Sequence, residues 1–139
     1  MRGFALPPSG KFIDYFLCNQ CGFCFAPELH AWSFDDFGKF IYNDGYELVD
    51  PDYKQVRPQA NAQLIDHLFA GSKTLLRHLD YGGGSGLLSS ILCSKGWDST
   101  TYDPFVNSDV RVDDLGDYDL VTAFEVFEHV TDIGGLLRN

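Results

Sequence analysis

Leu79-Asp80-Tyr81-Gly82-Gly83-Gly84-Ser85-Gly86 decides the reading of this chain: an acid closes an apolar run, and glycines follow at alternate positions. Upstream, Thr74-Leu75-Leu76-Arg77-His78-Leu79 reads as a strand. Downstream, Leu87-Leu88-Ser89-Ser90-Ile91-Leu92-Cys93 spaces its apolar side chains as a helix does. The glycines therefore form a strand-to-helix turn, where backbone N–H groups and a helix N-terminus approach a polar ligand that any Cβ would hold off. A dinucleotide fingerprint counted from Gly82 needs glycine at position 87, which is Leu87. No Gly-Lys-Ser/Thr follows, which excludes a P-loop.

The spacing Asp80-x-Gly82-x-Gly84-x-Gly86 resembles motif I of the class I S-adenosylmethionine-dependent methyltransferases. The resemblance implies that Asp80 meets the cofactor's amino group, directly or through water, while Gly82, Gly84 and Gly86 let the ligand lie against the main chain. A doubly wound fold expects a second carboxylate about 20 residues on, for ribose hydroxyls. Asp103 stands there, ending a second strand over Trp97–Tyr102 because the residue before Pro104 avoids helical backbone. Val110-Arg111-Val112 reads as a short third strand, and Asp113 or Asp114 after it is the adenine-binding acid that the resemblance implies.

Tyr118 to Phe124 is apolar enough for a central parallel strand. The following Glu125-Val126-Phe127-Glu128-His129 resembles the post-strand motif of the same enzymes, which implies Phe124 and Glu125 beside the methionine half of the cofactor and His129 nearer the acceptor. Imidazole is the usual general base near neutral pH, so His129 is the candidate catalytic residue. The competing reading makes it a hydrogen-bonded packing residue in an enzyme that works by aligning acceptor and sulfonium.

The N-terminal part has a separate composition. Cys18-Asn19-Gln20-Cys21-Gly22, after a strand expected over Phe12–Leu17, has the form of a zinc knuckle, with Gly22 allowing the tight turn. Cys18 and Cys21 are read as half of a ribbon-like zinc site; the alternatives are a compact Cys18/Cys21/Cys24/His30 site and reduced thiols without metal. Cys93 reads as a core residue. The aromatic-rich stretch after Glu28 reads as a short helix plus a capping loop. In similar methyltransferases an Ile-Tyr-x3-Tyr segment covers the cofactor, which here implies Tyr42 and Tyr46. Aromatic faces attract a sulfonium as they do other cations. Gln59 to Ala70 reads as a helix with Ala62, Ile65, Leu68 and Phe69 on its apolar face, packed beside the first strand and carrying no chemistry.

The 139 residues, 45% apolar and 15% aromatic, suit a cored domain, and the net charge of −10 disfavours nucleic acid as a partner. Neither a membrane span nor a signal peptide is expected, and a reducing cytoplasm suits the four cysteines. The expected fold is α/β: a Rossmann-like, doubly wound parallel sheet of about four strands over residues 58–139, preceded by a Cys-rich and aromatic capping region over 1–57. The resemblance implies seven strands, so the chain reads as truncated, with an exposed sheet edge that invites self-association. The expected function is methyl transfer from S-adenosylmethionine to a small-molecule or sugar-like acceptor, with little turnover expected of this fragment alone. A NAD-dependent oxidoreductase and a non-catalytic zinc-binding module are the alternatives.

Overall fold

The computed structural model describes residues 11–43, 45–130 and 132–138. The chain divides into two compact units, Met1–Pro51 and Asp52–Asn139. In the first, strands β1 (Phe16–Leu17) and β2 (Cys24–Phe25) pair antiparallel around the cysteine turn. A 3₁₀ turn at Pro27–Ala31 leads to helices α1 (Phe34–Phe40) and α2 (Tyr46–Val49). The start of α1 is fixed by a reciprocal capping box: Asp36 N–H donates to Ser33 Oγ at 3.2 Å, and Ser33 N–H donates to Asp36 Oδ2 at 2.9 Å. Trp32 packs edge-on against Phe37, with ring centroids 5.4 Å apart, and Lys11 lies over Trp32 and Phe40. The strand expected from Phe12 shortens to Phe16–Leu17, the two residues that find ladder partners in Phe25 and Cys24.

The second unit runs α3 (Val56–Leu68), β3 (Arg77–Tyr81), α4 (Leu87–Ser94), β4 (Asp98–Tyr102), β5 (Leu120–Thr122) and α5 (Ile133–Leu136). The sheet is parallel with order β4-β3-β5, so the chain leaves β3 on one side and returns on the other. That reversal creates a topological switch point at the carboxyl end of β3, where open α/β sheets hold their ligands.

Three parallel strands are present among the described residues, against about four expected. Val110–Val112 is not a strand: Val110 N–H is used by Asn107 O and Asp114 N–H by Arg111 O, and the chain enters a 3₁₀ turn at Val112–Asp114. Such local bonds satisfy backbone groups that a ladder would need. The first strand of the sheet starts at Arg77 rather than Thr74, because successive turns occupy the chain up to Leu75.

Ala62 and Ile65 of α3 meet Leu88 and Leu92 of α4 and Trp97 ahead of β4 in one cluster, with Leu76, Ile91, Leu120 and Phe124 packed against it. Thus α3 buries its face chiefly against α4, and its apolar stripe is narrower than expected, since Leu68 and Phe69 are exposed. Cys93, expected in the core, is exposed, with its Sγ 3.2 Å from Ser99 O. Asp66 ties α3 to the β4 side by accepting from Trp97 Nε1 at 3.0 Å and from Lys95 Nζ at 2.7 Å.

Leu92 is fully buried and Leu68 is 62% exposed. Leu92→Ala should therefore destabilise the protein by about 2–5 kcal/mol in urea unfolding. Leu68→Ala should stay within about 0.5 kcal/mol.

Candidate functional site

Asp80 ends the buried part of β3 and is 3% exposed, directly before the glycine turn. Gly82 follows with φ 73°, and a Cβ there would stand 2.5 Å from Val126 Cγ2. At Gly83 a Cβ would overlap the Asp80 carboxylate itself. Only glycine leaves room at these two positions for the carboxylate and for the chain after β5. Gly84 N–H donates to Asp103 Oδ2 at 2.9 Å, and Gly86 caps the N-terminus of α4. Asp103 is 8% exposed and also accepts from Phe105 N–H at 2.8 Å. One carboxylate thus ties the end of β4 to the glycine turn.

Behind Asp80 lies a polar stripe that parallel sheets rarely carry, since their strands are usually apolar on both faces. Residues paired in register across parallel strands point to the same face. His78 pairs with Ser99 of β4, and Asp80 pairs with Thr101 of β4 and Thr122 of β5. Thr122 Oγ1 donates to Asp80 Oδ1 at 3.1 Å. The fully buried His78 contacts Ser99 Oγ through Nδ1 at 2.7 Å and Thr122 Oγ1 through Nε2 at 2.9 Å. Burial pushes the His78 imidazole down to about 4, so it is neutral at pH 7. Burial also pushes Asp80 up to about 6; the Thr122 hydrogen bond acts downward, and the charge of Asp103 adds to the rise.

Beyond β5, Glu125 adopts φ 56°, the single non-glycine residue with positive φ among the described residues. Its Oε2 pairs with Arg57 Nη1 of α3 at 2.5 Å. Both side chains are partly in water, where such a pair adds at most about 1 kcal/mol, so it orients Glu125 more than it stabilises the fold. The helix expected to carry no chemistry therefore brings a guanidinium to the switch point. Phe124 packs against the helical core cluster. His129 closes a 3₁₀ turn at Phe127–His129, half-buried, with Nε2 3.9 Å from Glu128 Oε1. Asp113 faces Arg111 at 3.0 Å on the exposed 3₁₀ turn, and Asp114 beside it is exposed.

In the N-terminal unit, Cys18 N–H donates to Phe23 O at 2.8 Å and Gly22 N–H to Cys18 O at 2.9 Å, closing the knuckle. The backbone N–H groups of Cys21 and Gln20, with the Cys21 side chain, lower the pKa of Cys18 and favour its thiolate. Among the described residues no three His, Cys, Asp or Glu side chains converge as metal ligands, so the compact Cys18/Cys21/Cys24/His30 arrangement does not form. The physical reason is that Cys24 already lies in β2 opposite Leu17, and His30 sits in the separate turn Pro27–Ala31. Tyr42 and Tyr46 stack edge-on, with ring centroids 5.3 Å apart, within this unit; Asp44 between them lies outside the described residues.

Four features escaped the sequence reading: His78, Thr122, Arg57 and the closeness of Val126 to Gly82. The alternation His78-x-Asp80 was a usable signal, because residues two apart on a strand share a face.

Two predictions follow from this geometry. Gly82→Ala adds left-handed strain to a collision and should cost about 2–5 kcal/mol, whereas the Gly82→Ala/Val126→Ala pair should be less destabilised than the sum of the two changes. Asp80 rises from 3.8 to about 6 on folding, so its favourable neutral form is fully present below about pH 4 and is lost as pH rises through 6. Asp80→Asn mimics that neutral form and should stabilise the ligand-free protein by up to about 3 kcal/mol at pH 7.5, with the gain vanishing near pH 4 in urea unfolding. His78 acts oppositely: its contribution is present above 6.5 and is lost as pH falls through 4.

No curated protein and no solved structure gives a significant match. A family model described as a methyltransferase domain matches residues 53–139, well over half the chain. It spans the glycine turn, both buried carboxylates and the Arg57–Glu125 pair, and the chain belongs to this methyltransferase-domain family.

Proposed function

We propose that the protein is a class I, S-adenosylmethionine-dependent methyltransferase acting on a small-molecule or sugar-like acceptor. The observation that carries the reading is the buried Asp80 carboxylate at the base of the glycine turn. A second buried carboxylate, Asp103, lies beside the same turn. Two carboxylates so placed repel a dinucleotide pyrophosphate and welcome an ammonium and ribose hydroxyls. Gly84 is close-packed as well, since a Cβ there would stand 3.1 Å from the Tyr53 hydroxyl.

When bound, the cofactor supplies an electrophilic methyl group on a sulfonium. Asp80 holds its ammonium, and the Arg57–Glu125 pair offers opposite charges to its zwitterionic end. Asp103 keeps lone pairs for ribose hydroxyls after its bonds to Gly84 and Phe105. Asp113 or Asp114 serves the adenine, and Phe124 borders the methionine half. The Ile-Tyr-x3-Tyr resemblance assigns Tyr42 and Tyr46, which stack on each other within their own unit, to the sulfonium as aromatic partners. His129, close in sequence to the end of β5, takes the acceptor's proton as general base.

The Cys18–Cys21 knuckle supplies two thiolates to a ribbon-like zinc site, a role supported by the N–H groups that favour the Cys18 thiolate. No described helix is long and apolar enough to cross a membrane. Four free cysteines suit a reducing cytoplasm. Among the described residues β5 is an edge strand with Val121 exposed, which supports self-association through that edge.

Calorimetric titration with S-adenosylmethionine, S-adenosylhomocysteine and NAD tests this reading. The first two should bind, and Asp80→Ala and Asp103→Ala should each weaken them at least tenfold, as expected for losing a charge-assisted hydrogen bond. Binding of NAD alone would overturn the assignment. Zinc content should fall on Cys18→Ser or Cys21→Ser; zinc-free wild-type protein that binds the cofactor refutes only the knuckle's role.

A further inference from the structure

We propose that His78 and Thr122 are positioning residues of the cofactor site: a one-way hydrogen-bond line Ser99–His78–Thr122 ends on Asp80 and fixes its carboxylate, in ionised form, for a cationic nitrogen. The inference rests on the cofactor reading above and deepens it.

The direction of the line follows from counting protons. Ionised Asp80 only accepts, so Thr122 must donate its single hydroxyl proton to Oδ1. Toward His78, Thr122 Oγ1 can then only accept, which places the imidazole proton on Nε2. Nδ1 is left bare, and Ser99 Oγ–H donates to it at 2.7 Å. Every donor points toward Asp80, and donors aligned head to tail strengthen one another in a dry interior.

This arrangement answers a problem of charge. The neighbouring Asp103 and the burial of Asp80 both favour the neutral acid, which cannot attract an ammonium. Of the titratable groups around Asp80, His78 lies on its own strand and is neutral, and Asp103 follows β4. Among the described residues the charge that acts on Asp80 is that of Asp103, and β5 brings it the hydroxyl of Thr122. Thr122 is thus the one side chain that hydrogen-bonds the Asp80 carboxylate among the described residues, and His78 keeps its proton directed there.

Nitrogen-15 NMR of histidine-labelled wild-type protein at pH 7 reads the tautomer without any substitution. The Nε2–H form is expected; the Nδ1–H form would reverse the line and overturn the proposal. In parallel, S-adenosylhomocysteine affinity is measured by calorimetry from pH 5 to 8.5. Wild-type affinity should fall as pH drops through about 6. Thr122→Val should move that fall upward by about one pH unit, weakening binding about twofold at pH 7 and about tenfold at pH 5. His78→Leu should move it the same way. Thr122→Ser and His78→Gln, which keep the hydroxyl and the N–H, should stay near wild type. A purely structural role would lower melting temperature in Thr122→Val and His78→Leu yet leave the pH dependence in place, and that result sinks the inference alone. Wild-type protein that binds no S-adenosylhomocysteine at any pH sinks the cofactor reading beneath it.

Discussion

The structure depends on keeping one carboxylate, Asp80, in the middle strand of a parallel sheet. An ionised acid there loses water on every side, a cost of several kcal/mol unless its oxygens are met. The surrounding residues follow from that constraint. Gly83 has no Cβ because the carboxylate occupies the space. The turn's own amide at Gly84 is directed to Asp103 instead of Asp80. One oxygen of Asp80 receives the Thr122 hydroxyl. The result is a carboxylate held in place but incompletely satisfied, which is the condition for a ligand to find it attractive.

Much of this was legible because the sequence and the physics act at the same scale. The turn from Asp80 to Gly86 is local: a strand end, glycines, a helix start, and the conformations follow from steric rules over a few residues. The partnership of Asp103 with that turn was legible through its distance along a βαβ unit. What failed were short segments whose backbone had local alternatives, such as Val110 to Val112, where turn bonds outcompete pairing. Also illegible were contacts fixed only by strand order. Arg57 and Glu125 are 68 positions apart, and nothing in either neighbourhood announces their meeting. The exposure of Cys93 likewise depends on which side of α4 the helix α3 covers.

Glu125 shows how the strand order is used. Its left-handed backbone costs about 1–3 kcal/mol, a strain that persists only where neighbours over-determine it. Val126, next in the chain, is buried with a methyl where a Cβ on Gly82 would have to go. The sharp bend after β5 and the glycine at the end of β3 are therefore one fitted contact. Moving either would shift Glu125 relative to Arg57, so the geometry of the charged pair follows from packing one residue away.

Stability and binding are linked through the same carboxylate. Because burial favours neutral Asp80, the ligand-free fold works against the ionised carboxylate at pH 7, and on the proposed reading an ammonium would supply the missing counter-charge. A ligand that binds only the folded state stabilises it by RT ln(1 + [L]/Kd), about 2.7 kcal/mol at a hundredfold excess over Kd. That gain is of the same size as the strain stored at Asp80, so a cationic ligand of the proposed kind would return the stability that the buried carboxylate removes. A neutral ligand of equal size would fill the cradle without relieving the charge, and the protein would discriminate against it by the desolvation of one carboxylate.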